Sequence, residues 1–210
     1  LVKEGKQVDI NAQDCNGNGI PDDCDIVNAS NEVLDQTKLI SDDGLPGDEF
    51  GNSVSVDGNI VVIGAPSHYS SNQGNAYVFR FEGNEWIQEA KLTASDGSMG
   101  DTFGYTVCIS GNVVIVGAYG DDDQGENAGA AYIYRYDGST WIEEQKLLAS
   151  DGGFIDYFGS SVSISGDTAI VGADNDDGAN NSSWETGAAY IYRYDGSTWI
   201  EEQKLLASDG

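Results

Sequence analysis

Residues 158–174 read FGSSVSISGDTAIVGAD, and the alternation of polar and apolar positions within them decides the architecture. Between Phe158 and Ser165, Val162 and Ile164 alternate with serines, the period of a strand with one buried face. Gly166 supplies a turn, and TAIVGA (168–173) follows as a continuous apolar run, which predicts a strand buried on both faces. After a polar loop come GAAYIYRY (187–194), an Asp-Gly step at Asp195–Gly196, and STWIEEQKLL (197–206). Asp-Gly between two alternating segments predicts a hairpin with positive φ at both central residues. The fourth strand is the most charged, as suits a sheet edge that must resist pairing with strangers.

Outward from this stretch the chain repeats itself. KLISDDGLPGDEFGNSVSVDGNIVVIGAP starts at Lys38, KLTASDGSMGDTFGYTVCISGNVVIVGAY at Lys91 and KLLASDGGFIDYFGSSVSISGDTAIVGAD at Lys146, and KLLASDG resumes at Lys204. These lysines are 53, 55 and 58 residues apart, and GAAYIYRYDGSTWIEEQKLLASDG occurs at both 129–152 and 187–210. Four antiparallel strands about every 50 residues form the unit of a β-propeller blade. One such sheet cannot bury both of its faces alone, so blades stack. The expected class is all-β, with blades at 38–90, 91–145 and 146–203 and the start of a fourth repeat at 204–210. Residues 1–13 read as a linker, and 14–37 as a candidate metal loop with its own linker. A closed ring takes about four to eight blades, so the chain is expected to continue past Gly210, to associate with copies of itself, or to remain an open arc.

Phe50-Gly51, Phe103-Gly104 and Phe158-Gly159 recur at one place in each repeat, and Gly64-Ala65-Pro66, Gly117-Ala118-Tyr119 and Gly172-Ala173-Asp174 at another. In this ordered pattern the chain resembles FG-GAP repeats, the blades of the integrin α-chain head and of many bacterial surface proteins. The resemblance covers residues 38–210 and implies a seven-bladed propeller used for extracellular recognition or adhesion. Calcium-binding blades of that family carry a D-x-D-x-D-G loop between the two motifs. Here the same place holds SVDGNI (55–60), ISGNVV (109–114) and ISGDTA (164–169), so the family's ligands are not carried into these blades.

Nine basic residues face 36 acidic ones, a net charge of −27. Nothing in that balance could neutralise phosphates, which excludes nucleic acid and an anionic membrane surface as partners. It fits calcium binding, a salty habitat or solubility outside the cell. No apolar run approaches the roughly 20 residues of a membrane span. The chain opens on Leu1 without a basic and apolar leader, and is read as a mature or excised piece.

Residues 14–25, DCNGNGIPDDCD, carry a metal-ligand spacing. Numbered as an EF-hand loop, Asp14, Asn16, Asn18, Asp22 and Asp25 fill positions 1, 3, 5, 9 and 12, Ile20 offers its carbonyl at position 7, and Gly19 takes the turn position 6. Asp25 stands where a bidentate Glu is usual, a shorter reach. The phrase resembles thrombospondin type 3 and dockerin calcium loops; the alternative is an acidic linker. Cys15 and Cys24 occupy loop positions 2 and 11, beside residues that would grip one ion, and a disulfide between them would clamp the loop. A zinc pair is the rival, but no second pair of cysteines or histidines completes a tetrahedron. A bridge in turn points to an oxidising compartment.

Other candidates have simpler readings. Cys108 stands where the other repeats have Ser55 and Ser163, so it reads as a small strand side chain, and the one histidine, His68, has no cysteine partner in reach. The loops at 67–76, 120–129 and 175–187 vary most and are where partner contacts are expected, with Trp184 the first candidate. The pairs Asp43/Asp48, Asp96/Asp101 and Asp151/Asp156 recur before each Phe-Gly and are expected to cap turns. Tyr132, Tyr134 and Tyr136, with Tyr190, Tyr192 and Tyr194 and with Tyr77, Phe79 and Phe81, are expected to pack between blades. DGSTW (137–141) has the wrong spacing for a sialidase Asp-box.

No convergent acid, base or nucleophile cluster stands out, so the expected protein is non-enzymatic, secreted or surface-displayed, and built for adhesion, display or matrix assembly with Ca2+ at its N-terminal loop. Two other readings stay open: a carbohydrate- or protein-binding module of a secreted enzyme, and a subunit of an extracellular filament made by self-association.

Overall fold

The structure, a computed structural model, describes residues 38–67, 72–177 and 186–207. The blades lie in the unit Ile40–Gly210. No helix occurs among the described residues, which form three four-stranded antiparallel sheets. The first holds β1 (Ser53–Asp57), β2 (Ile60–Ala65), β3 (Asn75–Glu82) and β4 (Glu85–Leu92). In the second are β5 (Thr106–Ser110), β6 (Val113–Ala118), β7 (Ala130–Tyr136) and β8 (Trp141–Leu147). The third comprises β9 (Phe158–Ser165), β10 (Thr168–Ala173), β11 (Ala188–Tyr194) and β12 (Trp199–Leu206). Each is a meander in chain order, the arrangement of a propeller blade. Lys91 and Lys146 lie inside β4 and β8, so the repeated text begins within the last strand of the preceding sheet.

Side-chain alternation explains the stacking. From the second sheet, Val114, Val116, Tyr132 and Tyr134 join Ile60, Val62, Ala76 and Val78 of the first sheet in one buried cluster. The opposite face of the same strands gives Val113, Ile115, Ala131 and Ile133 to a second cluster, with Ile164, Ala169, Val171, Tyr190 and Tyr192 of the third sheet. The apolar run of β6 is therefore buried on both faces, as its composition predicts. In β10, whose TAIVGA run is the one read from the sequence as buried on both faces, the pattern is instead half open: Ile170 is 38% exposed where its counterpart Ile115 is fully buried, because no described sheet covers that side.

The Phe-Gly motif crosses from one sheet to its neighbour. Phe103 N–H donates to the Gln73 carbonyl at 2.8 Å and Phe158 N–H to that of Ala128 at 2.9 Å. Gly104 has φ +94°, and a Cβ there would lie 2.1 Å from the Asn75 oxygen. Gly117, first residue of the second motif, would place a Cβ 2.1 Å from the Gly159 oxygen of the next sheet. Backbone runs against backbone at each junction, and only glycine leaves room.

The charged fourth strands form sheet edges as expected, while the Asp-Gly turns differ from expectation. β4, β8 and β12 do form sheet edges, but their charges are paired and not merely solvated: Arg80 holds Glu89 through two bonds of 2.8 and 2.9 Å, and Arg135 holds Glu144 through two of 2.7 and 2.9 Å. The Asp-Gly turns have positive φ only at Gly138 (+102°) and Gly196 (+101°). Asp195 instead accepts the N–H groups of Ser197 and Thr198 at 2.8 and 2.9 Å, a wider loop built on the carboxylate. The two-residue form with both central φ positive occurs at Gly83–Asn84 of the first sheet.

Candidate functional site

Of each recurring aspartate pair, one member caps a turn and the other does something else. Asp48, Asp101 and Asp156 are buried and accept the N–H of the residue three positions earlier, at 2.7, 2.6 and 2.7 Å. Burial pushes the Asp101 carboxyl up to about 6, against the pull of the Ser98 N–H, and Asp121 adds to the rise. Asp156 is raised for the same first reason, and its Oδ1 is buried with no hydrogen-bond partner.

Asp43, Asp96 and Asp151 correct the turn-capping expectation, because each binds a tyrosine and a lysine. Tyr132 donates its hydroxyl to Asp96 at 2.8 Å and to Asp121 at 2.9 Å, and Lys146 donates to Asp96, Asp121 and Asp123 at 2.9, 2.8 and 2.6 Å. Tyr190 and Lys204 repeat the arrangement with Asp151 and Asp176. The first sheet has a reduced form in which Tyr77 and Lys91 meet Asp43 at 2.9 and 2.5 Å. Burial alone would lower the Lys146 ammonium, but its bonds to Asp121, Asp123 and Asp96 outweigh that and hold it well above the usual range. Each lysine also lies over its tyrosine ring, at 5.3 Å for Lys146 and Tyr132. These acids are locked to cations of the chain itself, and the network ties the start of a repeat to the third and fourth strands of its sheet.

A different set of side chains opens to solvent. Tyr105, directly after Phe103-Gly104, meets Tyr119, directly after Gly117-Ala118, with ring centroids 4.5 Å apart at 72°. Tyr119 in turn meets Tyr157, which directly precedes Phe158, at 5.3 Å and 90°. The three rings, with Ser160 and Asp174, line a cleft of about 240 Å³ where the motifs of the second and third sheets come together. Burial raises the Tyr119 hydroxyl first, and the neighbouring Tyr105, Tyr157, Glu49 and Asp174 raise it further. Tyr157 sits at φ +57°, a conformation bulky residues rarely adopt. The arrangement offers ring faces and an acid: a surface for stacking and for polar or cationic groups.

Of the aromatic ladder, the tyrosines of the second and third sheets pack between sheets as expected, with Phe103 lying 5.4 and 6.0 Å from Tyr132 and Tyr134, whereas Tyr77 and Phe79 of the first sheet pack against Phe50 and Phe81 is 42% exposed. Cys108 is a free thiol, partly buried against the junction of the second and third sheets, as a small strand residue should be. Asp14, Asn16, Asn18, Ile20, Asp22, Asp25, Cys15, Cys24, His68 and Trp184 lie outside the described residues. Among the described residues, no group of three or more His, Cys, Asp or Glu side chains is arranged to hold a metal ion. The tyrosine cleft was missed by sequence reasoning. Its signal is that the positions flanking the invariant motifs change from repeat to repeat: Glu49, Thr102, Tyr157; Asn52, Tyr105, Ser160; Pro66, Tyr119, Asp174.

The family model described as FG-GAP repeat matches residues 33–79, 86–134 and 141–192. Among the curated proteins nothing matches. Similar solved structures include Sqt1 of Saccharomyces cerevisiae, 9% identical with a TM-score of 0.49, over 77% of this chain and 37% of that one. A hypothetical selenium-binding protein from Sulfolobus tokodaii is 9% identical with a TM-score of 0.46, over 70% of this chain and 38% of that one. The computationally designed Ika4 protein is 13% identical with a TM-score of 0.47, over 80% and 79%. The chain thus spans well under half the length of the two natural proteins.

Proposed function

Because the chain belongs to the FG-GAP repeat family, we propose that it is a non-enzymatic extracellular recognition module, secreted or displayed on a cell surface, that holds a protein or carbohydrate ligand for adhesion or matrix building. The observation that carries this reading is the cleft of Tyr105, Tyr119 and Tyr157 beside Asp174. It is built from the positions that vary between otherwise near-identical repeats, on strand ends fixed by the packing below. Edge-to-face rings and an acid suit a sugar face or a basic side chain. The test is surface capture against a panel of polysaccharides and matrix proteins, with Tyr119→Ala and Asp174→Asn as variants. A ligand of the wild type should bind each variant about tenfold or more weakly, the loss of one good contact, with thermal stability unchanged. Undiminished binding by both variants would place recognition elsewhere.

A second reading concerns the N-terminal loop, on the strength of its donor set. Asp14, Asn16, Asn18, the Ile20 carbonyl, Asp22 and Asp25 are the hard oxygen ligands Ca2+ takes, at the spacing of a single loop. The blade hairpins do not fit such an ion. They are tight turns on Gly58, Gly111 and Gly166, and the carboxylate of the first, Asp57, accepts the Gly111 N–H at 2.6 Å. Bound calcium would neutralise the acids of 14–25 and stiffen the loop, with a Cys15–Cys24 bridge clamping it. Calcium titration by calorimetry should give one site that Asp14→Ala removes. A chelator that leaves proteolysis of this segment unchanged would count against it.

A further inference from the structure

Asp156 sits where two walls of the tyrosine cleft meet. Tyr157 follows it directly, and the Asp156 carbonyl accepts the N–H of Asn175, the residue after Asp174, at 3.4 Å. Asn175 adds a second tie, its side-chain amide donating to the Ile155 carbonyl at 2.9 Å. Tyr157 N–H donates to the Asn127 carbonyl at 3.1 Å, and the Tyr157 carbonyl accepts the Ser160 N–H at 3.0 Å. Tyr157, Ser160 and Asp174 of the cleft therefore hang from one turn, which the Asp156 carboxyl closes by accepting the Gly153 N–H at 2.7 Å.

This turn has less support than its counterpart in the first repeat. All three repeats keep the backbone bond, from Ser67, Gly120 and Asn175 to the carbonyls of Asp48, Asp101 and Asp156 at 3.3, 3.2 and 3.4 Å. In the first repeat Ser67 also donates its hydroxyl to Asp48 Oδ1 at 3.3 Å, and Asn72 its amide at 3.5 Å. Asn175 stands in the place of Ser67 but turns its amide to Ile155, and Asp156 Oδ1 is left buried without a hydrogen bond on a residue only 4% exposed. The backbone is strained as well. Ile155 has φ +62° where the corresponding Gly47 and Gly100 have +94° and +102°, a region that glycine adopts freely and a β-branched residue does not.

The charges around Asp156 add to the load. Buried Asp176 and half-buried Asp177, which follow β10, face it with the same sign. Lys204 of β12 opposes them but is held by Asp151 and Asp176, as is the Tyr190 hydroxyl of β11. Burial raises the Asp156 carboxyl most, the Gly153 N–H pulls it down, and Asp176 and Asp177 raise it against Lys204. A neutral carboxyl leaves an oxygen unbonded at a much smaller cost than a carboxylate does.

We propose that Asp156 is a proton-operated latch on the tyrosine cleft. Protonated, it keeps the turn 153–156, and with it Tyr157 and Asp174, in the arrangement described. Ionised, its Oδ1 turns toward water, the turn gives up its strain and the cleft wall loosens. The sign follows from linkage: a carboxyl raised in the closed form favours that form in acid, and its support is lost as pH rises through the raised value. This control rests on the recognition reading for what the cleft holds, and it means that a ligand is bound more tightly in acid than at neutral pH.

The test uses the full chain without a ligand. Amide hydrogen exchange is followed by NMR from about pH 4 to about pH 8, as protection factors from which the intrinsic effect of pH is removed. Protection of Gly153, Tyr157, Ser160 and Asn175 should fall by about tenfold for each unit by which the closed form raises Asp156. Val114 and Val116, in the interior of the second sheet, should keep theirs. Asp156→Asn keeps an acceptor for the Gly153 N–H and cannot ionise, so its protection should not change with pH. Asn175→Ser restores the hydroxyl that Ser67 gives Asp48, and should shrink the response to about half or less on a logarithmic scale. Either variant decides the matter if the other fails to fold. Constant protection in the wild type overturns the latch. So does a full wild-type response in a folded variant, which would assign the titration to Asp176 or Asp177. Ligand capture by Tyr119→Ala and Asp174→Asn tests recognition and these amides test the latch, so either can fail alone.

Discussion

Trp141 donates its indole N–H to Glu89 of the preceding sheet at 2.9 Å, and Glu89 simultaneously receives both arms of Arg80. The bond links two sheets at their outer edge, where the buried clusters thin out. Burial raises Glu89, but the bonds from Arg80 and Trp141 outweigh it and hold the carboxylate below its usual range. Glu89→Ala leaves a guanidinium and an indole N–H unpaired, both largely covered, and should cost about 2–4 kcal/mol in urea unfolding. Trp141→Phe keeps most of the packing, loses one charged hydrogen bond, and should cost about half as much. Equal losses for the two would show that Glu89 acts through Trp141 alone.

Glycine substitutions separate a filled junction from an open one. Gly64, Gly117 and Gly172 occupy the same place in three repeats, yet a Cβ meets a backbone oxygen at 2.0 Å and 2.1 Å in the first two and only the Ser161 hydroxyl in the third. Gly64→Ala and Gly117→Ala must pry two sheets apart and should destabilise by about 3–5 kcal/mol. Gly172→Ala needs a rotamer change at Ser161 and should cost under about 1 kcal/mol in the dilute single chain. Three matching melting curves would refute the stacking geometry described here.

The third sheet shows how much of this was legible beforehand. FGSSVSIS and TAIVGA coincide with β9 and β10 residue for residue, because a strict alternation and an uninterrupted apolar run leave little freedom of register. Asp195–Gly196 was legible as a turn but not as a wide one, since the choice rests on whether the carboxylate turns back onto Ser197 and Thr198. Asp96 and Asp101 look alike in sequence; only the fold brings Tyr132 and Lys146, 36 and 50 residues away, onto the first and not the second. The tyrosine cleft was hidden for the same reason, as its rings come from two repeats.

Lys146 and Lys91 give a matched pair of ion clusters. Lys146 meets three aspartates, one of them, Asp121, only 4% exposed, whereas Lys91 meets Asp43 with both partners more than a third exposed. Lys146→Met strands the buried Asp121 carboxylate and should cost about 3–5 kcal/mol, partly recovered by adding Asp121→Asn. Lys91→Met removes a solvent-screened pair and should cost about 1 kcal/mol or less. Similar losses at the two sites, measured by the same unfolding assay, would show that burial does not set the strength of these clusters.

Asp101 makes a pH prediction whose sign is opposite to that of its neighbour Asp96. Burial raises Asp101 from 3.8 in the unfolded chain to about 6 in the fold, so the folded protein binds a proton more tightly there. Its contribution is favourable below pH 3.8 and is lost as pH rises through about 6. Asp96 is also opposed by burial, but the bonds from Lys146 and Tyr132 prevail and lower it, so its contribution is present above 3.8 and lost on further acidification. Between about pH 4 and pH 6 the Asp101 effect therefore stands alone of the two. Asp101→Asn keeps an oxygen for the Ser98 N–H, which Asp101 now accepts at 2.6 Å, and removes the buried charge. It should stabilise the protein by roughly 1–3 kcal/mol at pH 7, with the gain shrinking toward zero at about pH 4. Melting temperatures of wild type and variant across that range decide it: a gap that does not change with pH, or a variant weaker at pH 7, means that the Asp101 carboxylate is held charged in the fold after all.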